Sequence, residues 1–247
     1  MINTILKIIA DNDLGQMVQW ILENNPSQSL PYHNFNHSLY VAYYAYNAFV
    51  EESYITQHSY DEHVEFKKIK TKKCPKALLI AALFHDFGHT GGFATNDTIN
   101  VEIARNAWAQ FCDLYITHHG RHGLKCDNYL FLQVDYLIEC TKYPHEHVSP
   151  PMGGNFEYTA EDRDFQMRCL RDADFMQNCN ETVLANQVGI KSESFKHVPY
   201  AEYVEKCLNF LRGIKYTTTY GKTFGAKKLQ TAIKQLELFQ RLVFPTN

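Results

Sequence analysis

Apolar positions along the chain recur mostly at helical spacing, in segments separated by short polar or Pro/Gly-containing breaks. Leu14 to Leu22 predicts a short helix closed by Asn24-Asn25-Pro26, and Ser27 to Pro31 reads as a loop. From Phe35 to about Val50, Leu39, Ala42, Tyr43 and Tyr46 fall on one helical face. Glu51 to Lys73 is polar and mixed in charge, a loop or an exposed helix. Pro75 stands where a helix can begin. The segment behind it, Lys76 to Phe87, is apolar nearly all round, and a helix with no polar face belongs at the centre of a bundle.

Thr90-Gly91-Gly92 breaks that segment, and Asn96 or Asp97 can cap the next helix, Thr98 to Phe111. Leu114 to about Gly120, Tyr129 to Cys140, Glu161 to Asn178, Thr182 to Val188, Ala201 to Leu211 and Ala226 to Val243 continue in helical register. Pro144 to Asn155 holds three prolines and two glycines and predicts a loop. Tyr216 to Tyr220 is the best strand-like stretch, and it is weak. The pattern predicts an all-α chain. With 247 residues, no fixed-period repeat and no linker-like tract, a single domain over 1–247 is expected.

Composition narrows the partners. There are 24 basic against 27 acidic residues, which argues against a chain built to hold a nucleic-acid polymer, although a small phosphate ligand needs only local charge. The seven cysteines (Cys74, Cys112, Cys126, Cys140, Cys169, Cys179 and Cys207) form no C-x-x-C pair and read as free thiols in a reducing compartment. Met1 to Ala10 is apolar in flavour but carries Lys7 and runs into Asp11-Asn12-Asp13, which is no signal-peptide layout. The longest apolar run, Ala77 to Phe84, is too short to span a bilayer. A soluble cytoplasmic protein is the expectation, with no membrane partner.

Candidate chemistry sits in three distant clusters: His33-Asn34-Phe35-Asn36-His37, then His85-Asp86 with His89, then Asp172-Ala173-Asp174. Each lies in or beside an apolar helical segment, where an unpaired ionisable group is costly. A divalent cation is the simplest partner that holds several of them together. His33 and His37 share a face if their helix starts near Pro31, and His85 and His89 repeat the spacing. Helical bundles build metal sites from such inward residues on facing helices. Periodicity leaves Asp172 and Asp174 equivalent, both flanking the stripe of Cys169, Leu170, Ala173 and Met176.

In this order, His37, His85-Asp86 and Asp174 resemble the H…HD…D signature of the HD-domain metal-dependent phosphohydrolases. Tyr32-His33-Asn34-Phe35-Asn36-His37 is similar to the Y-H-N-x-x-H signature of the class I cyclic-nucleotide phosphodiesterases, which some bacterial HD phosphohydrolases share. His85-Asp86-Phe87-Gly88-His89 resembles their H-D-x-x-H, and Ala173-Asp174 their A-D. Leu137 to Lys142 looks like a helix with a terminal Thr found in the bacterial relatives. The match covers about 32–178, leaving 179–247 as a helical C-terminal extension.

The resemblance implies an HD-type helical bundle. It makes His37, His85, Asp86 and Asp174 ligands of one or two divalent ions, with Zn, Mn, Fe and Mg all suited to such ligation. It makes His33 the general acid and His89 a water-orienting histidine. Asp172, His118, His119 and His145 are further candidates for a second metal or for supporting roles. Gln187-Val188-Gly189 echoes a Q-V-G run whose Gln grips a purine in the phosphodiesterases, but it follows Asp174 too closely and is set aside as accidental. The implied activity is hydrolysis of a nucleotide phosphoester, foremost a 3′,5′-cyclic nucleotide. The rival readings are a nucleotidase or nucleoside-triphosphate hydrolase, a di-iron oxygenase using His118 or His119 and His145, and a nucleotide-binding module without turnover.

Overall fold

The computed structural model describes residues 1–58, 76–92, 97–118, 128–144, 160–179 and 182–244. Ten α-helices and no strand occur among them: α1 (Ile2–Asp11), α2 (Gly15–Asn24), α3 (Phe35–His58), α4 (Lys76–Phe84), α5 (Asp97–His118), α6 (Asn128–Glu139), α7 (Ala160–Asn178), α8 (Val183–Ser194), α9 (Tyr200–Gly213) and α10 (Ala226–Val243). The protein is an all-α bundle. None of the described helices is long and apolar enough to cross a membrane.

Helix α4 is the axis. Every side chain from Ala77 to Phe84 is buried, and α3, α6, α5 and α7 pack round it. Helix α3 lies along both α4 and α7. Phe87 stacks on Trp20 of α2, and Phe84 meets Trp20 and Phe111 at a tilt and Trp108 of α5 edge-on, in one aromatic cluster. Tyr44 is fully buried, and Tyr40, Tyr43 and Tyr46 pack against the same core, so the tyrosine stripe on α3 is structural. The five described cysteines are buried and form no disulfide with one another, as small core side chains.

A second hydrophobic cluster is built from Val183 of α8, Tyr203, Val204, Cys207, Leu208 and Leu211 of α9, and Ala232 and Leu236 of α10, with Cys179. Ile214 and Leu229 pack against both clusters.

Several boundaries differ from the sequence expectation. Met1 to Ala10 is largely helical: Ile5, Ile8 and Ile9 form a buried stripe against α3, enough to order a helix that pattern alone left unassigned. Helix α3 continues past Val50 to His58, and α5 runs unbroken to His118, absorbing the separate piece expected from Leu114. Helix α8 extends to Ser194. Helix α4, by contrast, stops at Phe84 rather than Phe87. Phe87 N–H bonds the carbonyl of Phe84, a tighter turn, and Gly88 adopts a left-handed φ of 70°. Tyr216 to Tyr220 forms no strand, because its backbone donors are taken by carboxylates: Thr217 and Thr218 N–H by Asp172, and Thr219 N–H by Glu52.

Candidate functional site

The first motif is held by its own asparagine. Asn34 caps α3, its Oδ1 accepting from Asn36 N–H at 2.9 Å, while its Nδ2 donates to Leu30 O at 2.8 Å. His37 then sits in the first turn of α3, buried and facing α4 and α7. The second motif occupies the turn that ends α4. Asn25 Oδ1 pins that turn, accepting from Gly88 N–H at 2.9 Å and from the Ser27 hydroxyl at 2.8 Å. His85 Nδ1 donates to Ala82 O at 2.9 Å, which leaves Nε2 as the nitrogen that faces the cluster.

Four side chains converge. His37 Nε2 lies 3.2 Å from His85 Nε2, 3.0 Å from Asp86 Oδ2 and 3.3 Å from Asp174 Oδ1. His85 Nε2 lies 3.2 Å from Asp86 Oδ2 and 3.9 Å from Asp174 Oδ1. Burial would push His37 down, but the hydrogen bonds it donates to Asp174 and Asp86 outweigh that and raise it to about 9. His85 is raised in the same way, against its burial, chiefly by the charge of Asp86. Burial would raise both aspartates, yet the imidazoles hold Asp86 well below and Asp174 below the ordinary carboxylate range. The pocket thus favours positive charge at its centre.

A cation fits this donor set. Bonds of roughly 2.1 Å in tetrahedral geometry place ligand atoms about 3.4 Å apart, within the spread of the distances above. His37, His85 and Asp174 form a group able to hold a metal, and Asp86 Oδ2 closes on both imidazoles.

His33 lies beside this cluster with a partner that no motif indicated. Its Nδ1 is 2.5 Å from Glu193 Oε2, and the N–H groups of Tyr32 and His33 both donate to Glu193 Oε1. Burial would raise Glu193, but the hydrogen bond with His33 wins and keeps its carboxyl below the usual range, so it is ionised at neutral pH. His89 stacks on His33 with ring centroids 3.7 Å apart and 16° between planes. Its Nδ1 accepts from Gly91 N–H at 3.1 Å, and burial, with the neighbouring His33, pushes it down to about 4. His89 is therefore a neutral ring against which His33 rests.

Asp172 is elsewhere. Residues two apart on a helix point roughly 200° apart, so Asp174 faces the cluster while Asp172 faces the segment between α9 and α10. There its carboxylate accepts from the N–H and hydroxyl groups of Thr217 and Thr218 at 2.7–3.1 Å. It takes no part in the metal-holding group, which corrects its candidacy as a ligand. His118 ends α5, but its side chain, together with all of His119 and His145, lies outside the described residues. The lysine run from Lys67 to Lys73 lies outside them too.

The cluster opens into a cleft of about 480 Å³. Asp86, Asp174, His33 and His89 line it, as do Asp97 and Thr141. Tyr143, Phe175 and Phe210 also line it, as an edge-to-face trio with centroids 5.7–6.3 Å apart. The outer wall comes from the region read as an extension: Gln187, Ile190 and Ser194 of α8, and Tyr203, Cys207 and Phe210 of α9. Gln187, set aside in the sequence, reaches this wall, where Tyr203 OH and Cys207 Sγ both lie within hydrogen-bonding distance of its Oε1. The wall was missed because its helices carry no ionisable motif, and the Gln187-Val188-Gly189 echo that falls on it was set aside. No protein-family profile, curated protein or solved structure matches this chain.

Proposed function

We propose that this protein is a metal-dependent phosphohydrolase that cleaves a nucleotide phosphoester, foremost a 3′,5′-cyclic nucleotide. The observation that carries the reading is the convergence of His37, His85, Asp86 and Asp174, from three distant segments, beside a histidine backed by a carboxylate. A divalent cation held there lowers the pKa of water and neutralises charge on a phosphoryl oxygen.

The side chains supply the rest. Asp86 and Asp174 stay ionised, and His85 faces the cluster with Nε2. Glu193 orients His33 through Nδ1. Nε2 is then the nitrogen that gives its proton to the departing alkoxide as the ester P–O bond breaks and a P–O bond to water forms. Neutral His89 keeps the ring in plane without competing for charge. The aromatic trio offers apolar faces to the nucleoside, in a cleft of the size that takes small ligands.

The test is elemental analysis of the purified protein, followed by cyclic and linear nucleotides read by mass with added Mn²⁺. Bound divalent metal and a cyclic nucleotide gaining one water are the expected results. No metal binding, together with every nucleotide unchanged, defeats the proposal. Release of inorganic phosphate or pyrophosphate moves it to the nucleotidase reading, and bound iron with oxygen consumption to the oxygenase reading.

A further inference from the structure

The cleft lies where two hydrophobic clusters face each other. Its metal-binding residues belong to the main core, and its outer wall to the α8–α9–α10 cluster. Polar clamps join the two. On the cleft side, Glu193 of α8 holds Tyr32 N–H, His33 N–H and the His33 ring. On the other face of α7, Asp172 is 1 % exposed and accepts four donors from Thr217 and Thr218, the residues that carry the chain from α9 into α10. Thr218 is wholly buried; its hydroxyl donates to Asp172 at 2.7 Å and accepts from Gly221 N–H at 3.0 Å. Glu52 of α3 adds a bond to Thr219 N–H.

A buried carboxylate is a costly way to fasten a loop unless its place matters. Here it fastens the α9–α10 connection to the helix that carries Asp174. Closely packed helices pass displacements on rather than absorbing them. The position of α10 and α9 therefore sets that of α8, and with it Glu193.

We infer that Asp172 and Thr218 are positioning residues for His33: their clamp places the C-terminal helices so that Glu193 meets the His33 ring. The inference rests on the reading of His33 as the acid. It assigns catalytic relevance to a site on the far side of α7 from the chemistry, whose threonine lies in the part of the chain outside the recognisable motifs.

The experiment compares Thr218→Val, Thr218→Ser and Glu193→Gln in the full chain with Mn²⁺. The substrates are thymidine 5′-phosphate esters of p-nitrophenol and of phenol. Thr218→Val should lower kcat/KM about 10-fold on the phenyl ester and less than about 2-fold on the nitrophenyl ester, the pattern expected of Glu193→Gln. Thr218→Ser, which keeps the hydroxyl, should match the wild type. Mn²⁺ affinity by calorimetry should be unchanged throughout, and hydrogen exchange in Thr218→Val should quicken in α8 and α9 but not in α4. Thr217→Ala, at an exposed residue whose hydroxyl also reaches Asp172, should show the same selectivity more weakly if Thr218→Val does not fold. Leaving-group selectivity in Glu193→Gln with none in the threonine variants overturns the inference alone. No selectivity in Glu193→Gln overturns the acid reading and the inference with it. Equal slowing of both esters in Thr218→Val marks the clamp as merely structural and also overturns the inference.

Discussion

His33 Nδ1 and Glu193 Oε2 lie 2.5 Å apart, although 160 positions separate them in the chain. The same carboxylate accepts the His33 N–H at 3.2 Å, so a single side chain of α8 fixes both backbone and ring at the start of the first motif. Glu193→Gln should therefore keep its fold and metal content while losing rate roughly 10–100-fold on esters with poor leaving groups. His33→Ala should lose more on the same esters. Steady-state kinetics on p-nitrophenyl and phenyl esters check this; equal losses on both count against a proton-donating role.

Asp86 closes on both His37 and His85. Asp86→Ala should remove bound metal and hydrolysis together. Metal content by mass spectrometry, measured beside turnover, decides it, and full turnover in a metal-free variant is incompatible with the proposed mechanism.

The charge pattern of the cluster predicts a pH dependence for the cation-free protein. His37 is raised from 6.5 to about 9 and His85 is raised too. A raised histidine stabilises the fold fully below its unfolded value and stops doing so as pH climbs through its folded value. Thermal stability without metal should accordingly fall between about pH 6.5 and 9. At the acid end the sign reverses: Asp86 and Asp174 are lowered, so their contribution is present above pH ~4 and lost as they protonate below it. Melting curves in chelator across pH 3–10 test both limbs. Cation binding should strengthen through the upper window, because it displaces the histidine protons. Chelation near pH 6.5 should be tolerated better than chelation near pH 9.

Gly221 is a packing constraint at the clamp. A Cβ there would stand 2.5 Å from Asp172 Oδ2 and 2.8 Å from Tyr216 Cβ. Gly221→Ala should cost about 1–3 kcal/mol, as overpacking does. Urea denaturation measures it, and an unchanged midpoint would mean that the Thr217–Gly221 segment yields freely.

At the core, Leu79 of α4 has no exposed surface. Leu79→Ala should cost about 2–5 kcal/mol through lost burial and the cavity left behind. The same denaturation experiment reads it.

Helices were legible in the chain because their signal is local. The Lys76–Phe87 segment, apolar nearly all round, had to be central, and the structure buries its Ala77–Phe84 run there. Helix ends were less legible, since they turn on distant partners. Helix α4 ends where Asn25 grips Gly88, and the Tyr216–Tyr220 stretch lost its strand character to Asp172 and Glu52. Helix α1 becomes intelligible only once α3 covers its isoleucines.

By itself the sequence determined the helical class and nominated His37, His85 and Asp86 together with the Asp172/Asp174 pair, because helical period and ligand chemistry are written in residue type and spacing; the preference for Asp174 came from the family resemblance alone. Only the tertiary structure separated Asp174 from Asp172, since both flank the same apolar stripe and differ only in what faces them. Only it paired Glu193 with His33 and made the C-terminal helices a wall of the cleft. Those are contacts between segments far apart in the chain, and no local pattern encodes which surfaces the packed helices bring together.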